Sequence, residues 1–310
     1  MTDDFRTDAC IEPPPLAHRP GCGCTLHARR RLGGLLLAGT GALLAGPARG
    51  QALDGLRAEV GSESRFAKLV PAQEVEAAAA QQYAQLLRDA AQKRALAPPN
   101  HPQLVRLRAI AERIIPRAAG WNARAPQWQW EVNLIGSPQL NAFCMPGGKI
   151  AFYSGILAKL QLSDDEVATI MGHEAAHALR EHARERMGKT AATRVGAGLI
   201  SALLGLGGTG DALLDMGSQL LTLRFSREDE TEADLVGMDL AARSGYDPRA
   251  GVSLWNKMLD ARRGAPPQFL STHPSGPTRI RDIEARLPRV LPLFEAAAKP
   301  TQRFAPPAAG

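Results

Sequence analysis

Cysteine is scarce, and its placement rules out a disulfide framework. Of four cysteines in 310 residues, Cys10, Cys22 and Cys24 precede an apolar run at 32–46, and only Cys144 follows it. If the leading segment is removed on export, no intramolecular disulfide is left and the core must hold without one. Cys22 and Cys24, with His18 and His27 nearby, match no zinc-binding spacing, and no cysteine stands just after the run to carry a lipid. Blocks of basic residues are also missing beyond the N-terminal region. The net charge of +6 is spread along the chain, which argues against a nucleic-acid partner. Nor is there a comfortable membrane span, since a helix needs about twenty apolar residues to cross. With 45% hydrophobic and 22% charged side chains, the chain is neither disordered nor fibrous. It has the balance of a globular protein with one substantial core or two modest ones.

What is present begins with three arginines, Arg29, Arg30 and Arg31, directly before LGGLLLAGTGALLAG (32–46) and the small residues of PARGQA. Basic, then apolar, then small is the order of a secretory signal. The long leading region ending in consecutive arginines resembles a twin-arginine export signal. Residues 1–52 are therefore expected to direct the chain to the periplasm or cell envelope. The alternative is an uncleaved signal that anchors it to a membrane. Beyond it we expect an N-terminal helical region at 53–120, a main domain at 121–288 and a Pro/Ala-rich tail at 289–310.

Local patterning fills in these units. Strong helix formers occupy 72–96 until PPNHP stops them, and a second helix covers 103–115 before Pro116. The period then changes to alternating: WQWEVNLI (128–135) and KIAFYS (149–154) read as strands, a hairpin or small sheet. Next, Ser163 and Glu166 form a capping box, and Asp164 and Asp165 favour the positive end of the helix that follows. Gly188 is expected to end that helix.

On it lies MGHEAAHALREH (171–182), holding three of the chain's seven histidines. His173 and His177 are four apart, so both rings leave one face as two ligands of one ion require, and Glu174 sits beside them. Chance supplies only about 0.16 HxxxH pairs in a chain of this composition, so accidental spacing is a poor explanation. His182 is five further on, about 140° round a continuous helix. That geometry makes it a surface residue whose replacement leaves metal binding unchanged. A metzincin pattern needs Gly at Arg180 and His at Ala183, so the third ligand must come from elsewhere. Downstream, FSREDETEADLVGMDLAARSGYDP (225–248) reads as a helix capped by Ser226 and ended by Gly245. Glu230 and Asp234 share a face of it, suited to a third ligand and a partner for a ligand histidine. Glu228, Asp229 and Glu232 are rival carboxylates.

HEAAH followed by this acidic helix resembles the HtpX/BepA group of gluzincin metallopeptidases, the family that includes the type I CAAX prenyl endopeptidases. NAFCMPGGKIAFYSGIL (141–157) resembles the segment before the helix in that family, and STHPSGPTRI (271–280) its His-Pro and Arg element. The likeness spans roughly 128–287. It implies a mainly helical α+β gluzincin domain with a small β-sheet or hairpin before the HExxH helix. It also implies one Zn2+ per chain held by His173, His177 and Glu230, with Asp234 behind them and Glu174 as base. Multi-pass members carry clear transmembrane helices that this sequence does not show. Only a short tail follows Leu287, where the BepA branch has a TPR array.

The implied activity is zinc-dependent hydrolysis of peptide bonds, with unfolded or misassembled cell-envelope proteins as the expected substrates. The alternative is a chaperone-like periplasmic binding protein with little proteolytic activity. His273, within a lid-like loop at 264–277, and Arg279, just beyond it, are candidate catalytic donors to the oxyanion. His273 has a second possible role, plugging the metal's open position. An edge strand near Asn141 and Ala142 is a candidate site for an extended peptide to add. The apolar stretch 195–223 reads as two packed helices, with peripheral membrane contact a further possibility. Oligomeric state is not encoded in any pattern here.

Overall fold

The computed structural model describes residues 54–194, 219–221, 223–261, 268–273 and 277–307. The export segment 1–52, nearly all of the apolar stretch 195–223 and half of the loop 264–277 lie outside them. Among the described residues the architecture is mainly helical α+β, with one three-stranded sheet.

Two helices lead in: α1 (Ala72–Gln92) and α2 (Pro102–Ile114). Proline at the first position of α2 needs no N–H there, and His101 Nδ1 accepts the Gln103 N–H at 3.2 Å to cap it. The sheet comprises β1 (Glu131–Ile135), β2 (Ala142–Met145) and β3 (Lys149–Tyr153), in the order β1-β3-β2. β2 and β3 form an antiparallel hairpin, while β1 pairs with β3 in parallel. Gly147 and Gly148 make the hairpin turn at φ of +80° and +78°, which L side chains rarely adopt. Among the described residues β2 is an edge strand, paired on one side only.

After α3 (Ser154–Lys159) comes the central helix α4 (Asp164–Leu179). Its capping box forms as the sequence requires: Glu166 Oε2 accepts from Ser163 N at 2.8 Å and Ser163 Oγ from Glu166 N at 3.3 Å. Every residue from Glu166 to Leu179 is buried, because the sheet, α2 and the later helices surround it. The helix does not run to Gly188. It stops at Leu179, Glu181 turns left-handed at φ +59°, and α5 (His182–Arg194) starts afresh. Interactions that no local pattern encodes hold this break. Asn122 Nδ2 donates to Leu179 O at 2.9 Å, and the buried Glu181 carboxylate takes both Arg124 and Arg184. Gly188 lies inside α5, where a Cβ would meet Phe66 O at 2.0 Å.

The chain continues through α6 (Arg227–Arg243), α7 (Ala250–Ala261), the short α8 (Gln268–Thr272) and α9 (Pro277–Ala296). Helix α9 crosses position 288, so the tail begins after Ala296 rather than at 289. Pro288 and Pro292 are carried inside it because Val290 and Leu293 are buried in the core, which offsets the lost backbone bonds. One hydrophobic cluster joins Leu56, Leu104 and Ile114 to Leu134, Met171, Leu240 and Leu293. The regions 53–120 and 121–288 therefore share a core.

Helices α4 and α6 make the most extensive contact in the fold, and two glycines allow it. A Cβ on Gly172 would lie 2.7 Å from Gly237 O, and one on Gly237 would lie 2.7 Å from His173 N. The backbones touch where the two motif helices cross. Gly237→Ala must force them apart, and overpacking of this kind costs about 1–3 kcal/mol. At roughly 2–4 °C per kcal/mol for a domain of this size, its thermal midpoint should fall measurably. A midpoint equal to the parent's would mean the close crossing is not needed.

Candidate metal centre

The crossing of α4 and α6 brings four side chains to one point. His173 and His177 project from the same face of α4, Glu230 from the first turn of α6, and His273 from the end of α8. Their ligand atoms all lie within 4.8 Å of one another and all four residues are buried. His173 Nε2 is 3.1 Å from His177 Nε2 and 3.6 Å from Glu230 Oε2. Glu230 Oε1 is 3.4 Å from His177 Nε2 and 2.9 Å from His273 Nδ1, which is itself 3.3 Å from His173 Nε2. Tetrahedral bonds of 2.0–2.1 Å place ligand atoms about 3.3 Å apart, so this donor set fits zinc.

Glu174 is next to the cluster and 2% exposed. Its Oε1 is buried without a hydrogen-bond partner among the described residues, and the nearest basic atom, His273 Nε2, is 3.5 Å away. A carboxylate oxygen left bare beside converging donors is placed to meet a water or a substrate group. Burial pushes the Glu174 carboxyl above its ordinary pKa, and His273 and His173 offset part of that rise. Glu230 goes the other way: burial favours its neutral form, but hydrogen bonds with His177 and His273 hold it well below the usual carboxylate range. Burial also drives the His177 imidazolium off, leaving the neutral ring that metal binding requires.

The remaining acidic residues of α6 separate by position. Asp229 closes the helix cap, accepting from Ser226 N at 2.8 Å, and Glu228 faces solvent. Asp234 Oδ1 lies 3.0 Å from His173 Nδ1. Arg279 clamps Asp234 through Nε and Nη2 at 2.6 and 2.7 Å, reaches Glu230 Oε2 through Nη1 at 2.7 Å, and stacks 3.7 Å over Trp255. Its Nη2 also lies 3.2 Å from His173 Nδ1. Its guanidinium is taken up by two carboxylates, and it is not among the residues lining the cleft that holds Glu174. His273, in contrast, is at the cluster and in that cleft, stacked on Phe269 at 4.5 Å.

His182 is not a surface residue. It is 1% exposed, its Nδ1 lies 2.9 Å from His177 Nδ1, and its Nε2 lies 2.9 Å from Glu232 Oε2. The helical-wheel argument fails because the helix breaks at Arg180 and Glu181. The left-handed position there is held by Glu instead of glycine, so no sequence signal marks it. Glu232, one of the rival carboxylates, is thereby engaged with His182 and with Arg180 Nε at 2.8 Å.

The cleft in front of the cluster has a volume of about 250 Å³. Edge strand β2 forms one side, with Asn141, Cys144 and Met145, while Glu174, His177 and His273 line the floor. Phe225 stacks on His177 at 3.9 Å.

Residues 103–287 match the sequence profile of peptidase family M48. The mitochondrial metalloendopeptidase OMA1 of Schizosaccharomyces pombe is 37% identical over 194 residues, 62% of this chain and 55% of that relative. The Arabidopsis thaliana enzyme of the same name is 39% identical over 152 residues, 49% of this chain and 30% of its own length. The beta-barrel assembly-enhancing protease of Escherichia coli is 32% identical over 171 residues, covering 52% of this chain and 35% of that protein. The chain thus spans less than two thirds of each of these relatives.

Proposed function

The chain belongs to peptidase family M48, and from that membership and the buried donor cluster we propose that it is a zinc-dependent metalloendopeptidase. His173, His177 and Glu230 would hold one Zn2+ per chain, with Asp234 orienting His173. The observation that carries the reading is Glu174 Oε1, without a hydrogen-bond partner among the described residues, beside the converging donors in a cleft bordered by the edge strand β2.

Zinc bound there supplies Lewis acidity and lowers the pKa of water towards about 7. Glu174 accepts the proton of the attacking water and returns it to the leaving amine, a role its raised pKa suits. β2 receives an extended substrate by backbone hydrogen bonding, which selects unfolded chain over any particular side chain. His273, the fourth member of the cluster, would be able to close the site until substrate displaces it.

Unfolded or misassembled proteins of the cell envelope are the proposed substrates, and the periplasm or envelope the proposed location. The export-type N-terminus supports this, as does the likeness to an enzyme named for β-barrel assembly. Among the described residues no helix is long and apolar enough to cross a membrane.

A metal assay paired with casein hydrolysis, with and without chelator, tests the reading. One zinc per chain and activity lost on chelation and regained with zinc are expected. Protein that neither binds zinc nor cleaves casein would instead support the chaperone-like binding protein.

A further inference from the structure

We propose that His182 is a positioning residue: with Glu232 it fixes the tautomer and orientation of His177, so that Nε2 of His177 presents its lone pair to the cluster. The inference rests on His177 serving as a metal ligand, the reading given above.

The argument is proton accounting. His177 Nε2 lies among the donors, 3.1 Å from His173 Nε2 and 3.4 Å from Glu230 Oε1. A neutral imidazole carries one proton, so a free lone pair on Nε2 requires the proton on Nδ1. The partner of that Nδ1–H is His182 Nδ1 at 2.9 Å, which must then accept. Acceptance there puts the proton of His182 on Nε2, and Nε2 faces Glu232 Oε2 at 2.9 Å. A carboxylate is acceptor only, and Arg180 Nε holds this one at 2.8 Å. Every proton along Arg180, Glu232, His182 and His177 is thus assigned without conflict.

The reverse assignment fails at a specific atom. If His182 donated from Nδ1, His177 would have to accept there and its Nε2–H would point into the cluster, leaving no lone pair for a metal; a neutral His182 would also set its own Nε2 lone pair against Glu232 Oε2 at 2.9 Å. Two facing acceptors with both rings buried leave a large penalty unmet. His173 also has a carboxylate of α6 at its Nδ1, Asp234 at 3.0 Å, with Arg279 contacting both Asp234 and that nitrogen, the latter at 3.2 Å. Helix α6 therefore orients both histidines, one directly through Asp234 and one through His182 from Glu232. The break at Glu181 is what makes this possible, because an unbroken helix would carry His182 away from His177.

His182→Phe keeps most of the volume and removes the acceptor. Its zinc affinity, measured by competition with a chelating indicator, should fall about 10–100-fold, the loss usual for such partners. The cobalt-substituted protein should show a shifted d–d absorption, read on variant protein whose far-ultraviolet circular dichroism matches the parent's. His182→Gln can accept from His177 and donate to Glu232, and should recover part of the affinity. A folded His182→Phe with parental zinc affinity and an unshifted cobalt spectrum overturns the proposal.

Should that variant not fold, the unaltered protein decides. Nitrogen-15 histidine spectra of the metal-free chain should show a proton on Nε2 and a lone pair on Nδ1 of His182, and a proton on Nδ1 of His177. A proton on Nδ1 of His182 overturns the relay. Failure of the parent chain to bind zinc would instead remove the enzymatic reading, while the same spectra still report on the relay.

Discussion

Glu174→Gln is expected to bind zinc as the parent chain does and to lose casein hydrolysis by about 10²–10⁴-fold, the range a positioned general base contributes. The substitution preserves shape at a 2% exposed position and changes only what the oxygen can do. A glutamine amide cannot take a proton from water near neutral pH, whereas the Glu174 carboxylate, its pKa raised mainly by burial, is tuned for that exchange. Because Glu174 is not one of the four converging donors, the metal should stay. Burial disfavours the charged form of Glu174 by more than His273 and His173 favour it, so the neutral amide should leave the metal-free variant melting no lower than the parent. Parental hydrolysis by this variant would sink the mechanism. Zinc loss would mean that Glu174 is itself a ligand.

Features fixed by adjacent residues were legible in the sequence, and features fixed by distant ones were not. The boxes at Ser163 and Ser226 start α4 and α6 where the pattern puts them, because a cap is a contact between residues three apart. The i, i+4 pairs His173/His177 and Glu230/Asp234 face the same point for the same reason. Alternation marks strands at 128–135 and 149–154, but they pair in parallel, and the hairpin joins β3 to β2 instead, a choice of partner that alternation does not encode. The end of α4 was misjudged because Gly188 looks like a stop. Gly188 lets Phe66 approach, while the stop is held from afar by Asn122 on Leu179 and Arg124 on Glu181. His182 went wrong with it. The prolines of α9 likewise suggested a tail at 289, since the burial of Val290 and Leu293 is invisible locally.

Glu230→Gln should weaken zinc binding by more than about 100-fold, beyond the 10–100-fold assigned to a residue that merely orients a ligand. Glu230 alone among the acidic residues of α6 places both carboxylate oxygens at the cluster, 3.4 Å from His177 Nε2 and 3.6 Å from His173 Nε2. An amide in its place offers one neutral oxygen, and its NH2 would face Arg279 Nη1 or the histidines. Either arrangement sets donor against donor in a buried site. Glu232→Gln is the matched control on the same helix. Its oxygen can still accept from His182, so zinc affinity should fall less than tenfold. Asp234→Asn should lie between, since it keeps an acceptor for His173 Nδ1 but surrenders the charge paired with Arg279. The ordering Glu230, Asp234, Glu232 in zinc dissociation constants is the test. Equal losses at Glu230 and Glu232 would show that α6 contributes to the metal site through general negative charge, and the third ligand would have to be sought elsewhere.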